Sequence, residues 1–152
     1  MTSAAELLVN IRRVIRLYEL ILHPVCEAYG ITIIETDILA FLRNNPDKDT
    51  ARDIVEYRML QKGNVSQAVE HLIRKGLLSR RQDEKDRRLI HLSLTPTAVE
   101  VTAAIRAARK QLLDQLFQDF SSGEILLYQE LNQKLFKNAA AGISQSTAEE
   151  RK

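Results

Sequence analysis

The apolar spacing changes period within one short stretch of the chain, and few folds accommodate that change. Val65, Ala68, Val69, Leu72 and Ile73 recur at the three-and-four spacing of a helix that begins near Lys62 and runs to Lys75, with Gly63, Ser66, Gln67, Glu70, His71 and Arg74 on the opposite side. Gly76 ends it. The chain then reads "LLSRRQ", a charged turn "DEKDRR", and "LIHLSLT", where Leu92 and Leu94 alternate with His91 and Ser93 and Ile90 extends the same inward face. That is the period of a half-buried strand, so a helix is followed directly by a hairpin that packs against the helices before it.

The preceding segments read as helices. Leu7, Ile11, Val14, Tyr18, Ile21 and Val25 make one helical stripe, which Pro24 should interrupt or bend and Gly30 should end. A second helix is expected over Thr32–Arg43 with Ile34, Ile38, Leu39 and Leu42 inward, followed by a polar turn, "NNPDKD". Thr50 and Asp53 have the spacing of a reciprocal capping box before a short helix to about Arg58. After the hairpin, Thr95-Pro96 is a helix start, and a long helix is expected over roughly Thr97–Phe120. Ser121 and Glu124 make a second capping box for a last helix carrying Ile125, Leu127, Tyr128, Leu131, Leu135 and Phe136, and the tail after Ala141 is expected to be frayed.

Three helices and a hairpin between about residues 32 and 94 are the core of a winged helix-turn-helix. The expected fold is therefore mainly α with a small β-hairpin wing. Residues 31–95 form the winged domain, 1–30 and 96–141 a helical region, and 142–152 a flexible tail. At 152 residues the chain suits one such domain with helical extensions.

Charge supports a partner of opposite sign. The net charge is only +2, but residues 58–88 carry nine Lys/Arg against four acids, a local surplus that fits a polyanion. In a DNA-binding reading, the helix from Lys62 enters a major groove. Ser66 and Gln67 there suit base edges, and Asn64 and His71 lie along the same stretch. Lys62, Arg74 and Lys75, with Thr50 or Arg52 at the preceding helix start, would position the protein on phosphates. Arg87 and Arg88 at the hairpin tip suit a minor groove, with Asp86 holding an arginine by a charge-assisted bond. The alternative is a winged-helix module that joins proteins, and steep salt dependence separates the two because only phosphate contacts release counterions.

The stretch "LLSRRQDEKDRRLIHLSLT", following "RKG", resembles the MarR family of bacterial winged-helix transcription regulators, and the resemblance extends from the first helix through the last. It places the family's wing aspartate and arginine at Asp86 and Arg88, implies that Arg88 is the minor-groove residue ahead of the more variable Arg87, and maps the recognition contacts onto "KGNVSQAVEHL", with Asn64, Ser66 and Gln67 nearest the bases. Ala98 departs from the glycine often found after "LT". The resemblance further implies a homodimer with intertwined terminal helices, a pseudopalindromic operator, repression by covering promoter DNA, with activation as the alternative where the operator lies elsewhere, and a small apolar or aromatic effector in a crevice beside the dimer helices. Tyr18, Tyr29, Ile34 and Phe41 are candidates to line it. The terminal stripes agree, since they flank a complete small domain and have no third element to bury against.

Catalysis is not expected. His23, His71 and His91 are scattered, Gly63, Gly76 and Gly123 are isolated, and no serine, histidine and acid arrangement is apparent. No cofactor or metal is expected either, although His23 and Cys26 are one turn apart. Family members that sense peroxides carry their cysteine nearer the helix start, so Cys26 reads as an inert thiol. A single cysteine and a first helix broken by arginines fit a cytoplasmic, soluble protein without a signal peptide.

Overall fold

A computed structural model describes residues 3–149. The elements run α1 (Ala4–Tyr29), α2 (Ile33–Asn44), α3 (Ala51–Arg58), α4 (Lys62–Arg74), β1 (Leu78–Gln82), β2 (Ile90–Leu94), α5 (Ala98–Leu116) and α6 (Ser122–Glu149). The chain forms two compact units, one ending at Leu113 and one beginning at Asp114.

In the first unit the starts of α1, α2 and α3 are fixed by side-chain caps, whereas α4 begins after Gln61 without one. Ser3 accepts the Glu6 amide at the start of α1. Thr32 and Glu35 make a capping box at α2, and Thr50 and Asp53 make one at α3. The core joins five helices and the wing: Leu22 of α1, Ile38 and Leu39 of α2, Ile54 of α3, Val65 and Leu72 of α4, Leu92 of β2 and Ile105 of α5 are all buried. Each such side chain contributes about 1.5–3 kcal/mol. The strands pair antiparallel from Leu78–Leu94 to Gln82–Ile90. Thr95 then returns the chain to the end of α4: its amide donates to the Leu77 carbonyl (3.1 Å) and its hydroxyl to the Gly76 carbonyl (2.6 Å).

The second unit holds the end of α5 and α6. Ser121 and Glu124 form the expected reciprocal cap. Phe117 packs edge-on against Phe120 and Tyr128, with ring centroids 5.5 and 5.0 Å apart.

Four sequence expectations are corrected. Helix α1 passes through Pro24 without interruption, because a proline removes one amide donor while the turns on either side remain bonded. Helix α5 stops at Leu116 rather than Phe120, and Asp119 takes a left-handed conformation in the turn. Helix α6 continues past Ala141 to Glu149, with the hydroxyls of Ser144, Ser146 and Thr147 donating to carbonyls four residues back; 150–152 of the expected tail lie outside the described residues. Ile90, expected inward, is exposed, because the wing projects beyond the core at that end and only Leu92 is buried.

Gly30 ends α1 in the left-handed region (φ 60°), its amide turned back to Glu27 and the next amide to Cys26. A Cβ there would fall 3.0 Å from Lys75 Nζ. Gly30→Ala is therefore expected to lower unfolding stability by about 1–2 kcal/mol, the usual cost of an L side chain in this conformation, read from urea or thermal melts.

Candidate nucleic-acid interface

Helix α4 presents a polar outer face because its apolar residues are taken up on the other side. Val65, Ala68, Val69 and Leu72 are buried, while Lys62, Asn64, Ser66, Gln67, Glu70 and Arg74 are exposed. Asn64, Ser66, Gln67 and Arg74 border one hollow of about 670 Å³ between α4 and the start of α2. These side chains retain free donors and acceptors, as reading base edges requires.

His71 is used differently. Its Nδ1 lies 2.6 Å from Oε1 of Glu35, whose carboxylate is almost wholly buried. The second oxygen of Glu35 accepts the Thr32 amide (2.9 Å). One carboxylate thus caps α2 and anchors α4, and the expected base-reading role of His71 gives way to holding the helix in place. Glu35 was not among the residues singled out from the sequence; the Thr-x-x-Glu spacing from Thr32 was the available signal for its capping half.

The expected phosphate contacts separate into two groups. Arg52 and Lys62 flank a cleft of about 340 Å³ between the starts of α3 and α4, which Ser66 also lines. Arg74 is exposed at the far end of α4, and among the described residues none of these three cations has an acidic partner. Two others are committed elsewhere. The Thr50 hydroxyl donates to Asp53 Oδ2 (2.6 Å) and accepts the Asp53 amide, so capping occupies it. Lys75 places its ammonium beside Gly30, at the carbonyl end of α1, where a cation is favoured by the helix dipole.

The wing is ordered by acids and carries its arginines free. Asp83 Oδ1 accepts the amides of Lys85 and Asp86 (2.8 Å each), and Gln82 Nε2 donates to the Arg87 carbonyl (2.7 Å). Asp86 accepts the main-chain amide of Arg88 (2.9 Å). This corrects the expected bond to an arginine side chain: Asp86 shapes the loop, while the guanidinium groups of Arg87 and Arg88 have no acidic partner among the described residues and are exposed. Arg80, by contrast, pairs with Glu70 of α4. The Asp86 amide first, then the His91 side chain and the Lys85 amide, hold the Asp83 carboxyl down to about 2.

A further junction, also missed in the sequence, lies behind the reading face. Asp37 of α2 accepts from Arg58 of α3 and from Arg109 of α5 (2.7 Å), and Arg109 Nε donates to the Tyr18 hydroxyl of α1 (3.1 Å). It joins four helices across long sequence separations, which no local motif announces.

The residues expected to line one effector crevice do not converge. Tyr18 belongs to this junction, Tyr29 donates to Glu100 (3.1 Å), Phe41 is buried with its ring 6.2 Å from that of Tyr57, and only Ile34 borders the α2–α4 hollow. A separate hollow of about 430 Å³ is lined by Leu20, His23, Cys26 and Ile33. The Cys26 thiol is pushed above its ordinary value by burial and then by the Glu35 charge, which disfavours the reactive thiolate. Among the described residues no three His, Cys, Asp or Glu side chains are placed to hold a metal, and no helix is long and apolar enough to cross a membrane.

Residues 29–89 match the MarR family profile. No curated protein sequence matches the chain. Among solved structures, a MarR protein from Peptoclostridium difficile superposes with a TM-score of 0.81 at 20% identity, covering 91% of this chain and 90% of the other. MepR of S. aureus, in a DNA complex, gives 0.75 at 20% identity over 90% and 96%. BpsR of Bordetella bronchiseptica, whose DNA binding is regulated by 6-hydroxynicotinic acid, gives 0.69 at 20% identity over 86% and 98%.

Glu35→Ala removes, from a buried position, the carboxylate that accepts the Thr32 amide and faces His71. It is expected to cost about 1–3 kcal/mol in urea unfolding, and to broaden or shift the NMR signals of α4 more than those of β1.

Proposed function

We propose, from the match of residues 29–89 to the MarR family profile, that the protein is a sequence-specific double-stranded DNA-binding transcription regulator, acting without chemistry of its own in the cytoplasm. Helix α4 enters the major groove with Asn64, Ser66 and Gln67 toward the bases. Arg52, Lys62 and Arg74 neutralise phosphates, and Arg88, assisted by Arg87, enters the adjacent minor groove. The observation that carries this reading is the placement of free cations at the HTH cleft and the wing tip on either side of an exposed polar helix face. A protein-docking module would gain little from leaving these guanidinium groups unpaired.

The working form is a homodimer on a pseudopalindromic site. Helix α1 exposes Leu8, Val9, Ile15 and Leu20, and α6, with no buried residue at all, exposes Leu126, Leu131, Phe136 and Ile143. Apolar stripes of this length need a second surface, and a second copy supplies one together with the second recognition helix. Residues 3–30 and 98–141 are thus assigned to dimerisation, and α6 extends that assignment beyond 141. The likeness to BpsR supports control by a small molecule. The hollow between α2 and α4 is of suitable size and shares Asn64, Ser66 and Gln67 with the reading face, so an occupant there competes with DNA for the same side chains. Repression follows where the operator overlaps a promoter.

Footprinting of the interval beside the gene with purified protein is expected to show a protected inverted repeat. Arg88→Ala should weaken that binding about tenfold with the dimer intact, and Lys62→Ala should lower the salt slope by about one. Unchanged protection with Arg88→Ala removes the wing from the interface; binding insensitive to salt removes DNA as the partner. Leu131→Asp is expected to yield a monomer in sedimentation and to cut affinity roughly 100-fold, the effective-concentration gain that linking two half-site readers supplies.

A further inference from the structure

The cluster around His91 has no part in the contacts assigned above, and it ties the wing to the body of the domain. His91 lies on β2, half-buried. Its Nδ1 is 2.7 Å from Asp49 Oδ1, in the turn before α3, and its Nε2 is 3.0 Å from Asp83 Oδ2, at the root of the wing loop. The other oxygen of Asp83 accepts the two amides that shape the tip. Beside it the Leu92 amide donates to the Asp49 carbonyl (2.7 Å), so side chain and backbone join the same two segments.

Both ring nitrogens face carboxylate oxygens. A neutral imidazole carries one N–H and one lone pair, and the lone pair would point at an anionic oxygen; only the imidazolium donates at both positions. The charges facing it are Asp49 from the turn before α3, Asp83 from the wing loop, and Arg81, its partner across the β1–β2 pair. The two carboxylates outweigh the single arginine.

We propose that His91, as an imidazolium, is the positioning residue of the wing, clamping Asp83 to Asp49 and thereby fixing where Arg87 and Arg88 stand relative to α4. Its consequence for DNA affinity rests on the DNA-binding reading given above; the clamp itself does not. The bond to Asp49 first, then that to Asp83, raises the His91 value above 6.5. A raised histidine contributes its bonds fully below the ordinary value and loses them as pH rises through the raised one. Asp83, held at about 2, stays ionised over that whole range. The wing is therefore clamped below the raised value and released as pH climbs through it.

The test uses the full-length protein in two measurements. The His91 ring is titrated by two-dimensional NMR while the exchange protection of the Leu92 amide is followed. Separately, a duplex selected by the protein from a random library is used to measure affinity from about pH 6 to pH 9 at constant ionic strength, for wild type and His91→Gln. Expected are a ring midpoint above 6.5, about a tenfold fall in Leu92 protection across it, and a three- to tenfold weakening of wild-type affinity through the same midpoint, following the fraction of clamped wing. His91→Gln should bind at the weaker level with a flat profile. A ring midpoint at or below the ordinary value, protection unchanged through the titration, or a wild-type pH profile in His91→Gln would overturn the proposal. If no duplex is selected, the DNA reading fails, and the ring titration with Leu92 protection still decides the clamp.

Discussion

Glu35 carries a carboxylate in a nearly dry position, and the position of α4 follows from how that group is satisfied. An unpaired buried carboxylate is costly, and its two oxygens demand donors from fixed directions. The Thr32 amide supplies one at the start of α2 and His71 the other from the outer turn of α4. Helix α4 is thereby pinned from its polar side as well as by the apolar contacts of Val65 and Leu72. A helix held only by an apolar stripe can slide or rotate by small amounts. One that also satisfies a buried acid has a single seating, which fixes the direction in which its exposed polar face points.

The same division of labour recurs in the wing. Asp83 and Asp86 are turned toward amides, and Asp83 also toward His91, whereas Arg87 and Arg88 project from the loop they frame. Ordering a seven-residue tip, 83–89, through main-chain bonds leaves the guanidinium groups unpaired and in solvent, ready for a polyanion. Lys75 and Thr50 show the converse. Both have the chemistry of phosphate ligands; the Lys75 ammonium lies beside Gly30 at the carbonyl end of α1, and Thr50 is taken up in the cap of α3.

Local chemistry accounts for what was legible beforehand. The capping box of Thr50 and Asp53, the stop at Gly76, the period change into β2 and the cap of Ser121 and Glu124 all act over three or four residues, so the order of elements and the outer face of α4 followed from spacing alone. Failures lay where a residue's partner is distant in the chain. Nothing adjacent to His71 indicates Glu35, nothing adjacent to His91 indicates Asp49, and Phe41 and Tyr18 are ordinary aromatic positions until α3 and α5 are packed beside them. Helix α6 outran its expected end for a related reason: Gly142 weakens a helix without ending it, and the hydroxyls that follow bond back along it.

By itself the sequence determined three helices running into a hairpin, a cationic wing, a polar outer face on the helix before it and apolar stripes along the terminal helices, because periodicity, caps and charge are properties of neighbouring residues. Tertiary structure decided which polar side chains remain available to a partner. Glu35, Asp37, Asp49 and Asp83 each sit opposite a histidine, arginine or amide, and only the packed fold settles which histidine or arginine is consumed in that pairing and which is left free.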